Sequence, residues 1–328
     1  MLTEIRNLLY DKQLKKSTSF DLPIINVGNL SVGGTGKTPQ IEYLIRLLQN
    51  DYKIAVISRG YKRKSKGFIV ADKQSTAEQI GDEPFQIYQK FPNLVVAVCA
   101  SRVEAAQKLL QKHKIDLILL DDALQHRGIK AGLNIMLTSY NQLFTNDYIL
   151  PVGNLRECRY QAKRADMVLV TKSPFELNTQ AATDIKKKVR KYFEKDIYFS
   201  TIAYDHNVFS EKNQMQLQDL KQYSLLLVTG IANPQAIYSL LSEKNINFEA
   251  LKFSDHHHFS KTDLQQITKQ FQQIKSDKKI VLTTEKDYVR LHHLVDFPLY
   301  YLPIQTQIFE KEAFNNKILD YVRKEKRV

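Results

Sequence analysis

Short continuous apolar runs recur along the chain, each followed by a stretch whose apolar residues fall three and four apart. The two periods predict buried strands at 23–27, 54–58, 94–98 and 115–120, with helices at 39–48, 77–90 and 102–112 between them. Further strands are expected at 134–137, 167–171 and 197–204, with a charged helix at 181–193. Ahead of all these, Leu2, Ile5, Leu8 and Leu9 stand at helical spacing. Strands apolar on both faces and alternating with helices predict an α/β fold built on a doubly wound, mostly parallel sheet. Residues 204–222 are polar and lack a period, so they read as a linker or hairpin that separates a first domain, 1–203, from a smaller α/β domain, 223–328. The second domain repeats the alternation, with strands at 224–229, 248–253, 279–284 and 299–304 and helices at 234–241 and 261–274. A last helix is expected to pack back on the first domain.

The sequence VGNLSVGGTGKTP at 27–39 lies between the first of these strands and its helix. A phosphate cradle needs backbone N–H groups at a helix N-terminus, a lysine that reaches the β- and γ-phosphates, and a hydroxyl for a magnesium ion. Ser31, Val32, Gly33, Gly34, Thr35, Gly36, Lys37 and Thr38 supply that set, which makes the fold P-loop NTPase-type. The departure is Ser31, which stands where the usual G-x-x-x-x-G-K-[ST] loop has its first glycine. A second element should bring a carboxylate for the metal from a neighbouring strand end. Asp121 and Asp122, after the apolar run 117–120, fit that role, because two adjacent buried carboxylates are costly without a cation.

A phosphate loop does not say what receives the phosphoryl group. An alcohol acceptor must give up its proton, usually to a carboxylate or an imidazole. Two stretches offer such groups, GDEP at 81–84 and FSDHHHF at 253–259. Zinc is disfavoured at the three histidines, since consecutive residues point in different directions and no cysteine pair joins them.

Taken together, the motifs resemble the tetraacyldisaccharide 4′-kinase family. VGNLSVGGTGKTP at 27–39, SRGY at 58–61, GDEP at 81–84, DDALQH at 121–126, LPVGNLRE at 150–157, VTGIANP at 228–234, FSDHHHF at 253–259 and TTEKDYVRL at 283–291 occur in order and span most of the chain. The resemblance implies transfer of the γ-phosphate of ATP to the 4′-hydroxyl of a tetraacylated glucosamine disaccharide 1-phosphate, with Mg2+ required. It implies that Lys37 holds the β- and γ-phosphates, and that Thr38 and one of Asp121 and Asp122 meet the metal, with Glu157 near the metal shell. It also implies that Asp82 and His256 act together at the acceptor, with Asp255 orienting the imidazole and His257 and His258 as alternatives to His256. Two local departures from the family pattern, Ala123-Leu124 and Gly153-Asn154, remove no titratable group.

The net charge of +13 and pI near 9.4 call for an anionic partner. The resemblance supplies one, a substrate phosphate among anionic lipids at the cytoplasmic face of the bacterial inner membrane. Arg59, Tyr61, Lys62, Arg63 and Lys64 are the candidates for headgroup or 1-phosphate contact, and the N-terminal segment is a candidate to lie in the interface or to pack on the domain. No apolar run is long enough to span a membrane. Nucleic acid is not expected as a partner, because the basic residues are not interleaved with aromatics. A monomer is expected. The competing reading, another ATPase or ligase with a G-G-x-G-K-T loop, leaves GDEP and FSDHHHF without a purpose.

Overall fold

The computed structural model describes residues 2–231, 233–255 and 257–325. Helix α1 (Leu2–Asp11) leads to strand β1 (Ile24–Asn29), every residue of which is buried. Helix α2 (Lys37–Leu48), β2 (Ile54–Ser58), β3 (Ile69–Val70), α3 (Ala77–Ile80), α4 (Asp82–Lys90), β4 (Val95–Val98), α5 (Arg102–Lys112) and β5 (Leu117–Asp121) follow. Then come β6 (Leu133–Ser139), β7 (Met167–Thr171), α6 (Thr179–Arg190) and β8 (Asp196–Tyr204). The remaining elements are β9 (Asn207–Phe209), β10 (Gln214–Gln216), β11 (Ser224–Thr229), α7 (Gln235–Glu243), β12 (Phe248–Lys252), α8 (Lys261–Gln273), β13 (Lys279–Thr284), α9 (Glu285–Leu291), β14 (Leu299–Leu302), β15 (Ile304–Ile308) and α10 (Lys311–Glu325).

The chain forms two compact units, Met1–Ile202 with Thr306–Val328, and Ala203–Gln305. The larger sheet runs β15-β8-β7-β6-β1-β5-β2-β4-β3. Its strands from β8 to β4 are all parallel. The short β3 is antiparallel to β4, and β15 runs antiparallel to β8, with Asp205 N–H donating to Pro303 O and Phe309 N–H to Phe199 O. The C-terminal ends of β1, β2, β4 and β5 therefore share one edge, where open α/β sheets collect ligands. The smaller sheet runs β10-β9-β14-β13-β11-β12, with β12, β11, β13 and β14 parallel.

One helix differs from the sequence reading, and other segments take up specific partners. The helix expected over 77–90 is two helices broken at Gly81, whose φ of 96° turns the chain. Thr76 and Gln79 close a reciprocal capping box on α3, a stop and restart that apolar spacing does not reveal. In the stretch expected as linker or hairpin, β9 and β10 pair antiparallel, and β9 also pairs with β14. That pairing assigns those residues to the smaller unit. At the other end, Phe314, Ile318 and Val322 of α10 are fully buried in the core under β1, β5 and β6.

Candidate active site

The phosphate loop is shaped by a few positions. Gly33 and Gly36 carry φ of 95° and 83°, which an L side chain rarely tolerates, while Ser31 is not left-handed and needs no glycine. Ser31 instead forms an isolated antiparallel bridge to Leu155, flanked by Val32 N–H donating to Asn154 O and Arg156 N–H donating to Leu30 O, each at 2.7 Å. LPVGNLRE is thus the brace of the loop's incoming arm. Buried Asn29 donates to Thr35 Oγ1 at 2.7 Å and so ties the loop to the end of β1. Gly36 caps α2 with no side-chain partner, which leaves the first amides of that helix facing outward with Lys37 and Thr38 as its first two residues.

The two acidic residues after β5 occupy different environments. Asp122 adopts φ 51°, and its carboxylate lies 3.7 Å from Lys37 Nζ and within 3.0 Å of both terminal nitrogens of Arg156. Burial pushes its pKa up, but Lys37 and Arg156 more than offset this and hold it below the usual range. Asp121 is sealed from solvent and accepts from Ser58 Oγ at 3.0 Å through Oδ2. Burial, aided by Asp122 and Glu83, lifts its pKa to about 6. Its Oδ1 is buried without a hydrogen-bond partner. An orphaned carboxylate oxygen beside a phosphate loop fits a magnesium ligand, and that ion prefers one or two carboxylates plus phosphate oxygens to an all-protein cage. Consistent with this, no cluster of three metal-ligating acids, histidines or cysteines occurs among the described residues.

Other motifs meet at the same edge. Gly81 of GDEP approaches Gly60 of SRGY so closely that a Cβ on Gly81 would lie 3.1 Å from Gly60 Cα. Asp82 is the first residue of α4, and the charge of Glu83 is felt by Asp121. Arg102 was not singled out from sequence, yet it is buried and donates to the carbonyls of Cys99, Ala100, Asp121 and Asp122. Burial, Arg102 and Arg59 together press the His126 pKa down to about 4, so that ring is a neutral acceptor for the Arg102 N–H. Arg156 was also missed, although it sits inside a motif that was noticed. The departures Ala123 and Leu124 are buried, each in a different packed apolar cluster of the larger unit.

Two sequence expectations need correction. Glu157 does not offer itself to a metal: its oxygens accept from Arg6, Asn7, Gln125 and Arg164, and its side chain is fully buried. It anchors α1, whose Asn7 is buried while Ile5 and Leu8 are half exposed. Arg63 is a structural side chain, with its guanidinium donating to Val98 O and Gly67 O. Arg59, Tyr61, Lys62 and Lys64 stay on the surface, with Tyr61 68% exposed, Lys62 over its ring and Lys64 in an exposed pair with Glu78 at 2.9 Å.

In the smaller unit, His257 stacks on Phe253, and its Nδ1 and Nε2 lie 3.1 Å from Ser254 Oγ and 3.0 Å from Asp263 Oδ2. Both ring nitrogens are therefore engaged in holding the segment. His258 and Asp255 are exposed, and His256 lies outside the described residues.

Residues 1–323 match the family model described as tetraacyldisaccharide-1-P 4′-kinase. A tetraacyldisaccharide 4′-kinase of Flavobacterium johnsoniae is 51% identical, covering 98% of this chain and 94% of the relative. One from Phocaeicola vulgatus is 44% identical, covering 98% and 92%. Among solved structures, the crystal structure of "apo" form LpxK from Aquifex aeolicus in complex with ATP superposes with a TM-score of 0.79 at 28% identity, covering 98% of this chain and 95% of that one.

Proposed function

The chain belongs to the tetraacyldisaccharide-1-P 4′-kinase family, and from that premise we propose that it transfers the γ-phosphate of ATP to the 4′-hydroxyl of a tetraacylated glucosamine disaccharide 1-phosphate. The observation that carries the reading is the pairing of a glycine loop, whose Lys37 already faces acidic residues, with the orphaned Oδ1 of Asp121. The amides at the head of α2 bind the phosphates, and Lys37 neutralises the charge that builds on them. Asp121 and Thr38 would hold Mg2+, which when bound supplies electrostatic stabilisation of the phosphoryl oxygens. Asp122 orients Lys37, and Arg156 keeps Asp122 ionised. At the acceptor, Asp82 takes the hydroxyl proton or orients the base, with His256 as its partner and Asp255 behind the imidazole. Excluding water while these groups assemble favours the sugar alcohol as acceptor.

The substrate's acyl chains explain why an apolar surface is on display. Helix α1 turns its polar side inward to Glu157 and leaves Ile5 and Leu8 outside, with Leu14 71% exposed beyond it. No described helix is long and apolar enough to cross a membrane. The reading is therefore a peripheral protein on the anionic cytoplasmic face of the inner membrane, where each lysine or arginine near the surface adds about 1 kcal/mol of attraction.

The test is incorporation of label from γ-labelled ATP into disaccharide 1-phosphate, with ATP binding followed by calorimetry. Asp82→Ala is expected to bind ATP within about threefold of wild type while labelling falls on the order of 100-fold or more. Wild-type hydrolysis of ATP that ignores the disaccharide would favour the plain ATPase reading.

A further inference from the structure

Two motifs, VTGIANP and TTEKDYVRL, have no part in the chemistry so far. Both lie at the C-terminal edge of the smaller sheet, because β12, β11 and β13 are parallel and end together. Beyond β11 comes Gly230, beyond β12 comes the segment 253–259, and beyond β13 comes α9 with Asp287 in its first turn.

Asp287 is more than a first-turn acid of α9, a helix whose cap is Thr284. Such an acid can do its work at the surface, whereas Asp287 is 0% exposed and burial raises its pKa despite three nearby donors. Its Oδ2 accepts from Gly230 N–H and from Thr284 Oγ1, both at 2.8 Å. Its Oδ1 lies 3.8 Å from Arg290 Nη1, and that guanidinium nitrogen donates to His257 O at 3.3 Å. The chain of contacts runs from Gly230 through Asp287 and Arg290 to the backbone of the histidine segment. Gly230 leaves no room for a side chain: a Cβ would lie 2.9 Å from Asp287 Oδ1, 3.3 Å from His257 Cβ and 3.4 Å from Ser254 O. With His257 fixed by Phe253, Ser254 and Asp263, the described residues of this segment are held through both the His257 ring and its backbone carbonyl.

We propose that Asp287 is a positioning residue, which with Arg290 clamps the described residues 253–255 and 257–259 against Gly230, and that turnover at the acceptor depends on this clamp. The proposal rests on the kinase reading above. A shift of about 1 Å in a reacting group can lower the rate on the order of 100-fold, so a slack clamp appears in turnover rather than in nucleotide binding.

The experiment compares the wild-type chain with Asp287→Ala, Asp287→Asn and Gly230→Ala. It measures kcat and KM for ATP in lipid phosphorylation and amide exchange across residues 253–259. Asp287→Ala is expected to lower kcat about tenfold or more, to leave the KM for ATP within about twofold, and to speed exchange in the segment. Asp287→Asn recovers part of kcat, since its carboxamide oxygen still accepts from Gly230 N–H and Thr284 Oγ1 while the charge facing Arg290 is lost. Should Asp287→Ala fail to fold, Gly230→Ala keeps the acid and its cap while wedging the segment away, and the same kcat loss is expected. The proposal is overturned if exchange rises with kcat unchanged, if kcat falls with exchange unchanged, or if the asparagine variant is no better than alanine. A wild-type chain that labels no disaccharide ends the functional reading instead, and the exchange data still report whether Asp287 holds the segment.

Discussion

Asp121→Asn should make the metal-free protein more stable and nearly inactive at once. The folded-state pKa of about 6 lies above the ordinary value of 3.8, so the folded protein holds this proton more tightly than the unfolded chain does. For an acid shifted upward, stability is greatest below the unfolded value and is lost as pH climbs from 3.8 to 6. At 1.36 kcal/mol per pH unit, the full effect above pH 7 is about 3 kcal/mol. Asparagine has nearly the same shape, keeps an acceptor for Ser58 Oγ and carries no charge. Melting of the metal-free variant at pH 7.5 should therefore exceed wild type by roughly 4–6 °C, and the advantage should shrink below about 1 kcal/mol by pH 4. Lipid phosphorylation should fall more than about 100-fold, because a neutral amide is a poor ligand for a hard dication. A variant that melts lower than wild type at pH 7.5, or whose advantage is the same at both pH values, would refute the assignment of Asp121 as an uncompensated buried acid.

Two further outcomes follow from the contacts around α1. Glu157→Ala strips a buried carboxylate from Arg164 and Asn7, and it should cost about 3–5 kcal/mol and raise amide exchange across α1, as read by melting and mass spectrometry. Ile5→Ser with Leu8→Ser removes apolar surface that is about half exposed, so binding to vesicles rich in anionic lipid should fall several-fold while the melting temperature drops by only about 2–4 °C.

Most strands of the larger sheet were legible because burial on both faces writes an uninterrupted apolar run, as at 117–120, whereas the edge strands β3 and β15, only partly buried, carry no such run. The phosphate loop was legible because Gly33 and Gly36 need conformations that favour glycine. What escaped was set by contacts distant in sequence. Nothing local to Glu157 says that Arg6, Asn7, Gln125 and Arg164 surround it. Arg63 looked like its basic neighbours until its guanidinium was found on Val98 O. Asp121 and Asp122 are indistinguishable as letters, and only the turn at Asp122 sends one carboxylate to Lys37 and leaves the other under Ser58. The break at Gly81 was missed because apolar spacing continues across it.

The seating of α1 on Glu157 bears on how a trimmed version of this protein would behave. Removing the first eleven residues to obtain a handier, less adhesive preparation would also withdraw two of the four donors from an acid sealed away from water. Gln125, which serves that acid, also donates to the backbone of Asn29, the residue that tethers the glycine loop. Such a truncation would slacken the nucleotide grip as well as the hold on lipid, and its weak activity would be misread as evidence about the membrane alone.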